Sequence, residues 1–431
     1  MTTGPKFPSS NWSIWLVPAR KRKNLRRRKK NLRTNRPDRD RSLILPLTGR
    51  SRKSPSFFLL LFFIPWLLGA QALHFQHRYL WVVRNTLTSR EKIDDLIQFA
   101  SRNGFTDLLV QVRGRGDALY RSRLVPTSPL LRHVSFDPLS YILEQAHARQ
   151  LRVHAWVNVY VVWSPNQQST PAGHLIYEHP NWFDEDYARS DLPENGKNVA
   201  GDPDEGYYLA PDHPQVSSYL LSVFREIVAL YPVDGLHLDY IRYKGAPYGY
   251  NPEAVAAYQD RYGKDPRKVV LNFKRMPDNP LLRTEKEHWD DYRRNAVTQL
   301  VKQVHAMVGD VRPGCIVSVA VKPDLNQARE KFYQEWDVWL AAGYVDWAIP
   351  MNYTADLHDF AYNIDVIYEN LPEKYRNRIL MGVALYNQSP LDVHDKLIYT
   401  QVTRFPGFSL FSYNTLAEKP EYIRRLHLST R

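Results

Sequence analysis

The sequence predicts an α/β fold, a single (β/α)8 TIM barrel. Three observations predict it. From Leu73 onward, short β-rich runs alternate with helical segments through eight strand–helix units. The strands are near-continuous apolar runs, the pattern of a parallel sheet covered by helices. Residues 73–431 are also numerous enough for such a barrel with insertions.

The elements follow in order. Tyr79–Arg84 (YLWVVR) is strand one. Thr88–Asn103 reads as a helix, with Ile93, Leu96, Ile97 and Ala100 on one face and Gly104 as its stop. Thr106–Arg113 is strand two, Pro138–Gln150 a helix, and Leu151–Val162 strand three. A long loop rich in Pro, Gly, Asp and Asn follows. Pro214–Leu230 is an amphipathic helix and Val233–Ile241 is strand four. Asn251–Tyr262 and Trp289–Val308 are helices, the first capped by Asn251 with Pro252 at its first position. Cys315–Val321 is strand five, Gln327–Leu340 a helix, and Val345–Met351 strand six. Leu357–Asn370 is a helix, Ile379–Leu385 strand seven, Leu391–Thr403 a helix, and Phe408–Ser412 strand eight. Glu418–His427 closes the chain as a short helix. An open doubly wound sheet would want a glycine-rich dinucleotide loop. Arg113-Gly-Arg-Gly-Asp117 lacks the third glycine and leads into no helix.

A barrel of this kind builds its site at the C-terminal ends of its strands. Those ends carry Arg113, Arg115 and Asp117 after strand two, then Asn158 and Tyr160 after strand three. Strand four supplies His237, Asp239, Tyr240 and Arg242, and strand five Lys322 and Asp324. Asn352 and Tyr353 end strand six, Tyr386 and Asn387 strand seven, Tyr413 and Asn414 strand eight. Trp156, Trp163, Trp182 and Trp347 lie near the same end in sequence. Aromatic faces beside hydrogen-bonding groups suit a sugar ring, which offers an apolar C–H face and a rim of hydroxyls.

Asp239 stands out. It ends Val233-Asp-Gly-Leu-His-Leu-Asp239 on the face opposite Leu236 and Leu238, and Tyr240, Arg242 and Tyr243 crowd it. Asp234 and Asp346 open their strands and are expected to be structural at the barrel bottom. Two readings of His237 stay open, an interior polar residue or a substrate contact. Arg113 and Arg115 either meet substrate or hold Asp117 or Asp239 ionised. Spacing indicates no zinc motif, no serine elbow and no Cys/His pair, so neither metal nor cofactor is implied.

Charge narrows the partners. The chain's formal net charge is +13, but residues 1–55 hold 17 Lys/Arg against only Asp38 and Asp40. The rest is close to neutral, and a nucleic-acid partner loses its support. Residues 1–55 form a basic tail, either a disordered segment or residues upstream of the true start. Residues 56–72 read as a secretory signal. Phe57–Leu68 is a short apolar stretch interrupted by Pro65, led by Arg50, Arg52 and Lys53, and followed by Ala70-Gln-Ala72. Uncleaved, residues 57–70 would be a short membrane anchor. The expectation is a monomer, secreted or periplasmic, with its barrel over 73–431. Cys315 is the single cysteine, so no intramolecular disulfide forms, and its apolar run suggests a buried structural thiol.

The chain resembles the glycoside-hydrolase-like 10 family, secreted bacterial proteins. The likeness runs over about residues 74–415. It rests on Gln111-Val-Arg-Gly-Arg-Gly-Asp-Ala-Leu-Tyr120, His154-Ala-Trp-Val-Asn158, Ala210-Pro-Asp-His-Pro-Gln-Val216, Val233–Tyr243 and Val345-Asp-Trp-Ala-Ile-Pro-Met-Asn-Tyr353. The resemblance implies a TIM barrel and glycosidase activity on a polysaccharide, a bacterial envelope glycan such as peptidoglycan strands stripped of peptides. Many members carry two successive acids where this chain has Asp239-Tyr240, and a proline where it has Lys244. A fainter likeness to the chitinase pattern fails at Ile241, where that pattern needs its acid.

Glycoside cleavage ordinarily uses two carboxyl groups flanking the bond. Asp239 is the expected acid/base, and Asp117 and Asp324 are the candidate partners. Assistance by a substrate N-acetyl group would need one acid and an orienting residue. Substrate contacts are expected from Arg113, Arg115, Asn158, His237, Tyr240, Arg242, Lys322, Asn352, Tyr353, Tyr386 and Tyr413. The alternative is a non-catalytic glycan-binding barrel at the cell surface.

Overall fold

The computed structural model describes residues 73–163, 170–188 and 206–426. The basic tail and the proposed signal segment lie outside them. Among the described residues no helix is long and apolar enough to cross a membrane.

Eight parallel strands form one sheet: β1 (His77–Val82), β2 (Asp107–Arg113), β3 (Arg152–Asn158), β4 (Gly235–Asp239), β5 (Ile316–Val321), β6 (Trp347–Pro350), β7 (Leu380–Ala384) and β8 (Gly407–Phe411). Their order is β6-β5-β4-β3-β2-β1-β8-β7. Isolated bridges Ala348↔Ile379 and Met351↔Gly382 bring β6 against β7, so the sheet is a nearly closed barrel. Helices cover it: α1 (Arg90–Arg102), α2 (Pro138–His147), α3 (Val216–Leu230), α4 (Pro252–Tyr262), α5 (Pro266–Arg275), α6 (Pro280–Val311), α7 (Leu325–Phe332), α8 (Trp336–Ala342), α9 (Leu357–Asn370), α10 (Pro390–Val402), α11 (Tyr413–Glu418) and α12 (Glu421–Leu426).

Strand alternation divides the core in two. Leu80, Val82, Leu108, Val110, Leu236 and Leu238 face outward against the helices. Tyr79, Trp81, Leu109, Trp156, Ala320, Ile349 and Leu380 fill the barrel interior. Each large side chain so buried stabilises the fold by about 1.5–3 kcal/mol. At the bottom, Asp107 on β2 meets His154 Nε2 at 2.8 Å and Arg152 Nε at 2.7 Å. Burial opposes its charge, but these two partners outweigh burial and hold its carboxyl at about 2. Asp234 and Asp346 also sit at strand starts. Asp234 Oδ2 accepts the Val153 amide at 2.7 Å, and Asp346 Oδ2 accepts the Val317 amide at 2.8 Å, so each ties its strand to a neighbour. Cys315 is buried, and burial pushes its thiol up to about 12.

The structure corrects several element boundaries. Leu151–Val162 is not one strand. β3 stops at Asn158, and Val161–Trp163 pairs antiparallel with Tyr207–Tyr208 in the long excursion that follows. The expected helix Gln327–Leu340 is two, α7 and α8, broken where Tyr333 turns left-handed at φ 54°. Gln334 in the break is buried and donates to the carbonyls of Ile241 and Ala320, satisfying strand-end groups that a continuous helix would leave bare. α5 was not expected, and α6 begins nine residues before Trp289. Asp265-Pro266 and Asn279-Pro280 are the cap-and-proline pairs that open them.

Candidate active site

Asp239 is the last residue of β4, at the barrel mouth, and is 5% exposed. Tyr240 follows it at φ 52°, a strained conformation for a bulky residue. That turn lets the Tyr240 amide reach back to Asp239 Oδ1 at 2.7 Å. Asp239 Oδ2 accepts the Trp156 indole N–H at 3.1 Å. Burial pushes the carboxyl up to about 6, against the pull of the Tyr240 amide, Arg242, the Trp156 N–H and Lys322. A carboxyl so tuned is protonated in mildly acidic water and can give that proton away.

A relay runs from Asp239 toward β2 and β1. Trp156 Nε1 also donates to Asn158 Oδ1 at 3.0 Å. Asn158 Nδ2 donates to the Gly114 carbonyl at 2.8 Å. Gln111 Nε2 makes a long contact with Asn158 Oδ1 at 3.5 Å, and Gln111 Oε1 accepts the Arg84 amide at 3.4 Å.

Aromatic rings form the floor and one wall. Trp81 stands edge-on to Trp156 at 4.6 Å and to Phe411 at 5.8 Å. Tyr353 and Tyr386 pack against Phe411 at 5.6 Å and 6.2 Å. Tyr386 is 57% exposed, open for a sugar face. The Tyr353 hydroxyl is buried without a hydrogen-bond partner among the described residues. Burial, and then the Asp239 charge, push its pKa well up, which puts the phenol within electrostatic reach of that carboxylate. On the opposite wall, Arg242 lies 5.0 Å and Lys322 4.4 Å from the Phe332 ring centroid.

Asp239, Asn158, Arg115, Tyr240, Arg242, Lys322, Tyr353 and Tyr386 therefore gather at or beside one mouth. Other expected site residues lie elsewhere. His237 has no exposed surface. It sits under Trp81 at 4.8 Å, its Nδ1 2.8 Å from Ser318 Oγ, and burial followed by His154 keeps it neutral. Asn352 is turned to the helix layer, donating to the Phe360 carbonyl at 3.0 Å and accepting from Asn363 at 2.8 Å. Tyr413 packs on Phe99 of α1 at 5.4 Å. Arg113 is fully buried and donates to the Asn158 and Val159 carbonyls, tying the end of β2 to β3. A register shift between Gln111 and Arg113 interrupts the strand alternation there.

The two partner acids are otherwise engaged. Asp324 caps α7, accepting the amides of Asn326 at 2.9 Å and Gln327 at 3.0 Å. Asp117 is buried and accepts the Arg115 amide at 2.9 Å, bracing its own loop. Neither arginine of that loop forms an ion pair with Asp117 or Asp239 among the described residues. Asp356, His358 and Asp359 are the one group of potential metal ligands among the described residues; all three are exposed. The sequence reading missed Arg84, Trp81, Phe332 and Phe411. Arg84 stands two residues past the end of β1, and the other three are spaced as core residues are, so only Arg84 carried a signal.

Known proteins share this barrel. The profile of the family described as glycosyl hydrolase-like 10 matches residues 66–396. The chain is similar to glycosyl hydrolase DigH of Escherichia coli K12, 24% identical over 339 residues that span 69% of this chain and 67% of that protein. It is similar to glycosyl hydrolase YngK of Bacillus subtilis 168, 24% identical over 71% of this chain and 58% of that one. Among solved structures, the PgaB (BpsB) glycoside hydrolase domain from Bordetella bronchiseptica superposes with a TM-score of 0.62 at 14% identity, over 82% of this chain and 99% of that one. The alpha-L-fucosidase isoenzyme 2 from Paenibacillus thiaminolyticus gives a TM-score of 0.54 at 14% identity, over 81% and 48%. At such identities the structural likeness speaks for the barrel alone.

Proposed function

Because this chain belongs to the glycosyl hydrolase-like 10 family, we propose that it hydrolyses glycosidic bonds of a polysaccharide, with Asp239 as the acid/base. The substrate proposed is a bacterial envelope glycan such as peptidoglycan strands freed of their peptides. An export signal over residues 56–72 would deliver the barrel to that glycan. One observation carries the reading: a nearly buried carboxyl at the mouth, raised to about 6 and oriented by an indole N–H and its neighbour's amide.

In the first step the Asp239 carboxyl gives its proton to the glycosidic oxygen as the C–O bond breaks. The sugar's own N-acetyl oxygen attacks the anomeric carbon, in the place of a partner carboxylate, since Asp117 and Asp324 are engaged in bracing a loop and capping a helix. Tyr353 and Tyr386 would orient that acetamide. In the second step the Asp239 carboxylate takes a proton from water, and the water oxygen reopens the cyclic intermediate with net retention. The rings of Tyr386 and Phe411 would hold the sugar's C–H face. Asp239→Asn keeps the shape but holds no transferable proton. Incubated with peptide-free peptidoglycan, it should release reducing ends at least about 10³-fold more slowly than the parent, with an unchanged circular dichroism spectrum. Turnover retained in a folded variant would sink the assignment. A parent chain that binds the glycan yet never cleaves it would mark a binding barrel instead.

A further inference from the structure

Two arginines lie close together on the β1–β2 side of the mouth, and neither forms an ion pair among the described residues. Arg84 follows β1 and Arg115 lies two residues beyond the end of β2. Arg84 lies over Gly114, close enough that a Cβ there would come within 2.8 Å of its Nη1. Its charged head therefore rests on the backbone next to Arg115. Gly114 is needed for that approach. Gly116, at φ 69° and hemmed by His174 Nε2 at 2.7 Å from a would-be Cβ, is needed for the turn that presents Arg115.

Arg115 Nη1 is buried with no hydrogen-bond partner among the described residues. Neither arginine makes a salt bridge within 4 Å there. Asp117 is the carboxylate in electrostatic range, but its Oδ1 takes the Arg115 backbone amide. Burial, then the Arg84 charge, depress the Arg115 guanidinium, while Tyr240 and Asp117 support it. Holding two like charges together without an anion between them is unfavourable. Planar forks side by side fit the two oxygens of a carboxylate. Tyr240, whose phenol supports the Arg115 charge, follows Asp239 and donates its amide to that carboxylate, which puts the arginine pair on the Asp239 side of the mouth.

We infer that Arg84 and Arg115 form an anion subsite that takes a carboxylate carried by a sugar beside the one cleaved, so that the preferred glycan is acidic. This rests on the hydrolase reading for its place in turnover but not for binding. The test therefore measures binding, on the full chain carrying Asp239→Asn. Its probes are peptide-free peptidoglycan oligosaccharides, whose carboxylate hangs on an ether arm, and hexuronate oligomers, whose carboxylate is on the ring. Each is paired with its carboxyl-reduced alcohol. At least one acidic probe should bind about 10- to 100-fold tighter than its alcohol, the preference shrinking as salt rises. Whichever probe shows it identifies the source of the carboxylate. Adding Arg84→Gln and Arg115→Gln together should bring the ratio within about twofold, and Arg84→Gln alone serves if the pair does not fold. Equal binding of acid and alcohol, or a preference that survives the arginine changes, overturns the subsite. Absence of cleavage by the wild-type chain with the preference intact would instead overturn the hydrolase reading alone.

Discussion

Asp239 owes its chemistry to two side chains that sequence spacing does not put beside it and to the backbone of the residue that follows it. Trp156 comes from β3, Lys322 from the end of β5, and the Tyr240 amide arrives through a left-handed turn. Burial is the dominant influence and raises the carboxyl to about 6. The sign of the pH effect follows. The first step needs the protonated form, so kcat/KM should fall tenfold per pH unit above about pH 6. A pH–rate profile on soluble glycan checks this, and a rate that keeps rising through pH 8 would remove Asp239 as the acid. The carboxylate itself was legible from its place at the end of an apolar strand. Asp324 shows the opposite case. The same strand-end logic pointed to it, yet Leu325–Phe332 begins one residue later and makes it a helix cap.

Elements were legible where their hydrophobic period was unbroken, as in Leu357–Asn370, which the structure reproduces residue for residue. They were obscured where polar faces or local breaks intervened. α6 opens on Pro280-Leu-Leu-Arg-Thr-Glu-Lys-Glu-His288, whose two adjacent leucines make no helical stripe, and Tyr333 interrupts a helical period through tertiary packing on Tyr243 at 5.3 Å and under Arg293 at 4.0 Å. Strand closure imposes its own demand. A Cβ on Gly407 of β8 would stand 2.2 Å from the His77 carbonyl of β1, a backbone atom that cannot rotate away. Gly407→Ala should destabilise the barrel by about 1–3 kcal/mol in urea denaturation. Gly309→Ala, in α6 with nothing within 4 Å, is the contrast and should be neutral or stabilising by up to about 1 kcal/mol. Equal effects at the two sites would show that backbone approach does not limit β1–β8 pairing.

Across the whole molecule, the long excursion between β3 and α3 is tied to the barrel through buried acids. Asp184 Oδ1 accepts the Gly249 amide at 2.9 Å, and the Asp212 carboxylate is buried near Tyr243 and Tyr160. Burial pushes Asp212 up to about 7, and burial together with Asp212 pushes Asp184 up as well. Unfolded, both ionise near 3.8. Between those values the unfolded chain releases protons that the folded chain keeps. Stability should therefore fall as pH rises from about 4 to about 7, with Asp212 alone contributing on the order of 4 kcal/mol. Asp212→Asn should flatten that part of the profile in thermal melts at a series of pH values. An unchanged slope would mean that Asp212 is solvated in the folded state.

The sequence by itself determined the barrel, its eight strands, the bottom-lying Asp234 and Asp346, and Asp239 at the mouth. Those follow from period-two burial and from strand polarity, both local and both written along the chain. Tertiary structure alone decided which strand-end groups share a site. It turned Asn352 and Tyr413 into the helix layer, sank His237 beneath Trp81, tied Arg113 across to β3, and brought Arg84 beside Arg115. The reason is physical: a side chain's direction at a strand end depends on bulges, left-handed turns and the partners on other strands. Sequence spacing constrains none of these.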